Sequence, residues 1–523
     1  MEERPLLRLP TPIRGEADRQ RGRAVGPKGP GRERQKERLA PRFDRLARAI
    51  DENRIDALRD DPDGIAPERA LVFEVVGNIG DFIAAAQRIG LAYEGEIETE
   101  IEADDDFFVE DKEGRKPTVA ARLYLTLPDE QAVRQLVRLW RLFCEGRRLP
   151  RGFGDWREVF LHLRDLRPWG PQDRLPEDAK EILKRRLAEE PGKHLRVEAE
   201  LWLRRERERG EARDRVRRVV EADGGHIRHE CLLPDIRYHG LLLEVPPAAV
   251  RKLLEGTSIP LLRCDDVMVL RPQSVLRAPL APEKEPAAAA ETADVLAPPA
   301  TANPPVVAVF DGMPMQNHAR LQGRLVIDDP DGVEARSLVQ ARRHGTAMAS
   351  LILHGDLARP DGGGTLDTSL HVRPVLIPMG PNGRACERTD PDRLVVDTIW
   401  RAVGRMKRGE GSTPPVAPDV VFVNLSLGDE SRPFAGLISP LARAIDHLAW
   451  THRLLFLISA GNITDTFPLD GHATWGELED LSPEERERSV LRALDRAKAR
   501  RTLLSPAEAI NALTVGAEHD DGV

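Results

Sequence analysis

The chain has 523 residues, which is too many for one ordinary domain and predicts two to four. Hydrophobic residues at 41% can build real cores, and a net charge of −9 argues against a nucleic-acid partner for the whole chain. No apolar run in the sequence approaches membrane-spanning length, so we predict no membrane partner.

The N-terminus and the cysteines bear on location. The first five residues, Met-Glu-Glu-Arg-Pro, lack the apolar core of a signal peptide. Cys144, Cys231, Cys264 and Cys386 lie far apart and form no CxxC pair, which favours thiols without a metal or disulfide role. We therefore predict a cytoplasmic protein.

Residues 1–65 are rich in Pro, Gly and Arg. Residues 1–50 contain 14 Lys+Arg and 7 Asp+Glu, a balance of about +7. Such a segment cannot bury enough apolar surface to offset its ordering entropy, so we predict a disordered basic arm. A solvated tail is favoured over a nucleic-acid anchor, because aromatic residues for base stacking do not interleave with the charges.

Apolar periodicity predicts two α+β units, in residues 66–170 and 190–272. Each has the order β-α-β-β-α-β of the ferredoxin-like arrangement. Such a fold does not give function, and binding of a protein partner through these units is one interpretation. The first unit is predicted from strand 70–76, helix 79–89, strand 94–102, strand 122–127, a helix from Asp129 and strand 159–163. The second is predicted from strand 195–202, a charged helix to about Ala222, strands 231–236 and 240–245, helix 247–255 and strand 261–270.

The rest of the chain has two regions of different composition, residues 273–304 and 305–523. Residues 273–304 are rich in Ala and Pro without periodicity, which predicts a linker. In residues 305–523 apolar strands alternate with helical segments, which predicts a mostly parallel sheet with helices on both faces. Functional groups then belong at the carboxyl ends of the strands.

Four short runs in this region carry a family resemblance. An apolar strand ends in Asp311, and a His-Gly-Thr run opens a small-residue helix at His344, 33 residues later. Asn424–Gly428 (Asn-Leu-Ser-Leu-Gly) and Ser459–Asn462 (Ser-Ala-Gly-Asn) follow. Together these runs resemble the subtilisin-like serine peptidases (subtilases), in which the aspartate also precedes the histidine. The resemblance implies a subtilisin-like α/β domain over about residues 305–517.

The resemblance also implies roles. A neutral imidazole is the natural acceptor for a serine proton near pH 7, which assigns His344 as the base. A carboxylate holds such an imidazole in the right tautomer, which assigns Asp311. Asn462 matches the oxyanion-hole asparagine, and the loss of such a donor in subtilisin costs about 10²–10³ in kcat.

The remaining implied site residues bind substrate. Ser426, Leu427 and Gly428 match the segment that pairs with a peptide as an added strand. Ser459, Ala460 and Gly461 match the lining of a side-chain pocket. The residues identify no metal ligands and no cofactor, although calcium is common in the resembled family. The second α+β unit stands where the family has an inhibitory prodomain of the same fold.

Two departures from the family stand out. Gly312 follows the aspartate, where the family usually has Ser or Thr. The sequence therefore does not determine which groups donate hydrogen bonds to Asp311. The Gly-Thr-Ser-x-Ala run of the nucleophile does not occur in the 523 residues. We therefore expect a serine endopeptidase acting on polypeptides whose serine lies beyond residue 523, so that this chain is an incomplete, inactive fragment. The alternative is a non-catalytic pseudopeptidase that binds peptides or a protein partner.

Overall fold

A computed structural model describes most of the chain, and its residues fall into two compact units, 1–168 and 169–523. The described residues are 29–52, 69–77, 79–110, 114–256, 259–278, 303–357, 364–379, 386–463, 468–469, 471–472, 474–498 and 501–516. Most of the predicted arm, residues 279–302 of the predicted linker, and several short segments of the predicted peptidase domain, among them 517–523, lie outside them.

The first unit is a four-stranded antiparallel sheet with helices. Its strand order, β2-β3-β1-β4, is that of the predicted ferredoxin-like arrangement. The elements are α1 (Arg32–Asp51), β1 (Leu71–Val76), α2 (Phe82–Arg88), β2 (Ala92–Ile101), β3 (Val119–Leu127), α3 (Glu130–Cys144), α4 (Trp156–His162) and β4 (Leu163–Pro168).

Part of the predicted disordered arm is the helix α1, and that prediction is wrong for residues 32–51. Leu39, Phe43 and Leu46 recur at helical spacing and are buried on one face, while arginines cover the other. Phe43 stacks on Trp140 of α3 with ring centroids 4.3 Å apart. The high charge of residues 1–65 as a whole concealed the apolar side chains on one face of α1. The neighbouring helix α3 covers that face.

The last strand of this unit was also placed wrongly, at 159–163. Trp156, Val159 and Phe160 have the i, i+3, i+4 spacing of a helix face and are buried as α4. The strand β4 begins only at Leu163 and pairs with β1.

A second antiparallel sheet opens the second compact unit, with the order β6-β7-β5-β8. The strand predicted at 231–236 lies earlier, at 226–233, because 234–236 is a single 3₁₀ turn. The last strand starts later than predicted, at Val267, because 260–263 is a helical turn. The elements are α5 (Pro171–Arg174), α6 (Glu177–Glu189), β5 (Leu195–Leu201), α7 (Glu206–Ala222), β6 (His226–Leu233), β7 (Tyr238–Val245), α8 (Pro247–Glu255), α9 (Pro260–Arg263) and β8 (Val267–Pro272).

The predicted boundaries of this α+β unit, 190 and 272, are too narrow on both sides. Ala179 and Leu183 of α6 are buried in the same core as the strands β5 and β8. Beyond β8, Leu276 and Ala278 are buried rather than part of a linker, and the short strand β9 (Arg277–Ala278) follows. The Ala- and Pro-rich composition of residues 273–304 concealed a short segment in which Val275, Leu276 and Ala278 are buried.

The C-terminal region contains the predicted parallel sheet, with six strands in the order β11-β12-β10-β15-β17-β19, all parallel. Apolar runs form its central strands because both faces are covered. The elements are β10 (Val307–Asp311), β11 (Leu325–Ile327), α10 (Val333–Arg336), α11 (Arg343–His354), β12 (Leu370–Pro374), β13 (Leu376–Met379), β14 (Cys386–Thr389), α12 (Val395–Arg408), β15 (Phe422–Leu425), β16 (Asp429–Pro433), α13 (Pro440–His452), β17 (Leu455–Ser459), α14 (Trp475–Glu479), α15 (Pro483–Ala497), β18 (Leu504–Ser505) and β19 (Ala512–Val515).

The second antiparallel sheet and the parallel-sheet region share one core. Tyr238 and Leu242 of β7 are buried in the same cluster as Ile399 of α12 and Ile445 of α13. The strand β9 continues this contact, since it pairs with β14 in antiparallel register. The apolar outer face of helices α12 and α13 therefore packs against a sheet that comes from earlier in the chain.

Candidate active site

Asp311 ends the central strand β10 and is completely buried. Its Oδ1 accepts a hydrogen bond from the backbone N–H of Gly312 at 2.6 Å. The position follows from the topology, because the carboxyl end of a strand between β12 and β15 opens at the edge where ligands bind in parallel sheets.

His344 stands in the first turn of α11 and meets this carboxylate. Its Nδ1 lies 2.7 Å from Oδ1 of Asp311, and about a fifth of its side chain is exposed. With Nδ1 donating to the carboxylate, the lone pair of Nε2 is free to take a proton. Burial lowers the pKa of His344, but the hydrogen bond and charge of Asp311, with the charge of Glu387, outweigh it, so the pKa is raised.

Two contacts hold α11 against the loop after Asp311. The hydroxyl of Thr346 accepts a hydrogen bond from the backbone N–H of Met315 at 2.9 Å. A Cβ on Gly345 would stand 2.8 Å from the carbonyl carbon of Gly312, so the backbones approach more closely than any side chain permits. The His-Gly-Thr run therefore places the imidazole by packing as well as by hydrogen bonding.

The predicted substrate-binding runs lie at the carboxyl ends of neighbouring strands. Leu425 of β15 pairs with Ile458 of β17, so Ser426–Gly428 and Ser459–Gly461 leave the sheet side by side. A Cβ on Gly428 would lie 3.3 Å from the Cα of Gly461. Asn462 follows directly and is exposed.

A strand already lies beside the first of these runs. Arg277 of β9 forms an antiparallel bridge with Gly428, and β9 pairs on its other side with β14. The chain's own segment thus lies between Gly428 and β14.

Glu387 of β14 is a buried acid that the sequence reasoning missed. Burial raises its pKa to about 8, and the charge of Asp311 adds to the rise, while His344 opposes it. The sequence feature that could have indicated a neighbour here was Gly312. Its lack of a side chain leaves space beside Asp311, and the carboxyl group of Glu387 fills that space.

The parallel sheet and the acid–imidazole pair at its carboxyl edge define an α/β domain suited to acid–base chemistry. Residues 303–522 match the model of the subtilase family (Peptidase_S8), which confirms the predicted resemblance and fold for this segment. The match supports a serine peptidase by resemblance. No curated protein matches the chain.

The sequence offers no Gly-Thr-Ser-x-Ala run that would supply the nucleophile. A Gly-Thr-Ser tripeptide occurs at 256–258, but Ile259 and Pro260 follow it and it lies outside the segment that matches the family. In the described part of the chain, no three His, Cys, Asp or Glu side chains could hold a metal ion. Across the described residues, each helix is too short or too polar to span a membrane.

Proposed function

We propose that this protein is a subtilisin-type serine endopeptidase that hydrolyses polypeptides with Asp311 and His344. The observation that carries the proposal is the 2.7 Å contact between His344 Nδ1 and Asp311 Oδ1 at the carboxyl end of β10. A buried carboxylate can hold the imidazole in the tautomer that leaves Nε2 as a base.

In the proposed reaction, Nε2 of His344 takes the proton of a serine hydroxyl as its oxygen bonds to the peptide carbonyl carbon. Asp311 stabilises the imidazolium, and the amide of Asn462 donates to the developing oxyanion. The imidazolium then protonates the leaving amine as the C–N bond breaks. Water, deprotonated by the same imidazole, then bonds to the acyl carbon, and the imidazolium returns its proton to the serine oxygen as the bond between that oxygen and the acyl carbon breaks. The serine itself is not assigned within the 523 residues.

Peptide binding as an added strand fits this cleft. The antiparallel bridge from Arg277 to Gly428 supports this, because it places extended backbone beside Gly428. Backbone pairing supplies affinity with little side-chain selectivity, and we assign the selectivity to the pocket at Ser459–Gly461.

A fluorophosphonate probe tests the reaction, because it reacts only with an activated hydroxyl. Protein that carries the nucleophile should be labelled on one serine, and Asp311→Asn or His344→Ala should slow labelling by about 10²–10⁴-fold. The exposed His318 provides the matched control, since His318→Ala should leave labelling unchanged. Labelling that survives His344→Ala would overturn the proposal.

We also propose that the second antiparallel sheet and β9 act as an inhibitory prodomain. Support comes from the place of β9, between β14 and Gly428. Leu276→Asp puts a charge at a fully buried position before β9 and should increase binding of a fluorescent peptide. Unchanged peptide binding would contradict the inhibitory role, and the sheet would then be interpreted as an interaction domain.

A pseudopeptidase is the second candidate, favoured by the absence of the Gly-Thr-Ser-x-Ala run from the 523 residues. It predicts peptide binding at Ser426–Gly428 without hydrolysis or probe labelling. A cytoplasmic location also remains our proposal, supported by four free cysteines. Cell fractionation tests it directly.

A further inference from the structure

Glu387 is a buried acid with no assigned task. It lies in β14 between Pro378 of β13 and Ala278 of β9, and no part of it is exposed. Within the described structure, neither of its carboxyl oxygens has a hydrogen bond of normal geometry, and Oδ2 of Asp311 lacks one too. The backbone N–H of His344 is near enough to lower the pKa of Glu387, but burial outweighs this effect. An acid in this state usually has a functional reason or carries a proton.

Its carboxyl group fills the space that the glycine after Asp311 leaves. A Cβ on Gly312 would stand 2.8 Å from Cδ of Glu387, closer than real Cβ contacts. Gly312 therefore has no room for a side chain while Glu387 is present. The two positions, 75 residues apart in sequence, form one packing unit against the acid–imidazole pair.

The groups that face Glu387 set its charge. Asp311 on β10 and His344 on α11 are the charged groups that act on it, and its strand partners Pro378 and Ala278 are not titratable. Two ionised carboxylates in a buried cluster repel each other, so one of them holds a proton unless the imidazole does. Asp311 contacts the imidazole of His344, whereas burial and the charge of Asp311 raise the pKa of Glu387, which favours a proton on Glu387.

We propose that Glu387 is a positioning residue that shares one proton with His344, and that its un-ionised form keeps the imidazole neutral and able to act as the base. When the proton moves from Glu387 to His344, a carboxylate and an imidazolium result, and the base is lost. The role in catalysis rests on the proposed peptidase function. The shared proton does not, because it depends only on the three side chains.

Histidine NMR of the 523-residue chain tests the shared proton without any nucleophile. In the unmodified chain His344 should titrate over a wider pH range than one independent group, because the acid and the imidazole are coupled. Glu387→Gln keeps the shape but cannot ionise, so His344 should titrate in a single step with its midpoint at lower pH. Glu484→Gln, at an exposed position on α15, is the control and should change nothing.

A second variant guards against misfolding. Glu387→Ala with Gly312→Ser replaces the acid by a hydroxyl in the same space, and it should also give a single, lower midpoint. Identical titration curves in the unmodified chain and both folded variants would overturn the proposal.

The labelling reaction separates this inference from the proposed function. In protein that carries the nucleophile, the rise of fluorophosphonate labelling with pH should begin at lower pH in Glu387→Gln. An absence of labelling in every form would count against the peptidase, whereas labelling with an unshifted pH profile would count against Glu387.

Discussion

At the scale of single residues, burial and neighbouring charges have opposite effects on the pKa of His344. Asp311 is buried without a counter-charge other than the imidazole of His344, and its second oxygen has no hydrogen-bond partner in the described structure. Glu387 adds another buried acid to the same group. Protonation is therefore the variable that decides how stable this part of the protein is.

Glu387 should make stability fall with rising pH. Its folded-state pKa is raised to about 8 from 4.5, so the folded state keeps a proton that the unfolded state has lost. The favourable contribution is complete below pH 4.5 and is lost as pH rises through about 8, at up to about 1.4 kcal/mol per pH unit. Denaturant unfolding of Glu387→Gln between pH 5 and about 9 should show a shallower decline than the unmodified chain. Parallel curves would contradict this.

Gly345→Ala should be destabilising by about 1–3 kcal/mol, because the new methyl group meets the backbone of Gly312 and Met313. Denaturant unfolding measures the loss, and the NMR signal of His344 should shift as α11 moves. Gly364→Ala is the matched control, since a Cβ there meets nothing within 4 Å. Equal stability of the two variants would argue against the close approach.

At the scale of elements, α11 is held by one apolar face. Leu353 is fully buried with Val309 of β10 and Val372 of β12, while Leu351 of the same helix is half exposed. The same face orients the first turn, where His344 lies. Packing at the far end of the helix and geometry at the site are therefore linked.

Leu353→Ala should cost about 2–5 kcal/mol in the free energy of unfolding, through lost burial and a cavity between α11 and the sheet. Leu351→Ala should change it by no more than about 0.5 kcal/mol. Denaturant titration of both variants makes the comparison. A large loss for Leu351→Ala would show that the exposed face is covered.

Within the second compact unit as a whole, a buried ionic network joins the second antiparallel sheet to the parallel-sheet region. Glu198 of β5 pairs with Arg432 of β16 and accepts a hydrogen bond from Tyr238 at 2.8 Å. Arg443 of α13 pairs with Glu200 beside it. Glu198 and Arg432 are almost completely buried, so each depends on its partner, whereas Arg443 is partly exposed.

Glu198→Ala should therefore cost about 3–5 kcal/mol, because it leaves the guanidinium of Arg432 buried and poorly compensated. The measurement is the first unfolding transition of the 523-residue chain. Glu177→Ala, which removes an exposed pair with Lys180, is the control and should produce no measurable loss. Similar effects of the two changes would show that the network does not join the two sheets.

Local sequence was sufficient for much of the fold. Strand and helix periodicity predicted both β-α-β-β-α-β units and the parallel sheet, because alternating and 3.6-residue patterns follow directly from which face is buried. The runs at Asp311 and His344 could be recognised for a related reason, since a strand end and a helix start each constrain a few neighbouring residues.

Features that depend on distant partners could not be recognised in this way. The helix α1 needed α3 to cover its stripe, and β9 needed β14 and Gly428 to become a strand. Glu387 became part of the site only when folding brought β14 beside Gly312. The protonation of a buried acid and the pairing of a short strand depend on the groups packed against them. Tertiary contacts, rather than neighbours in the sequence, determine which groups those are.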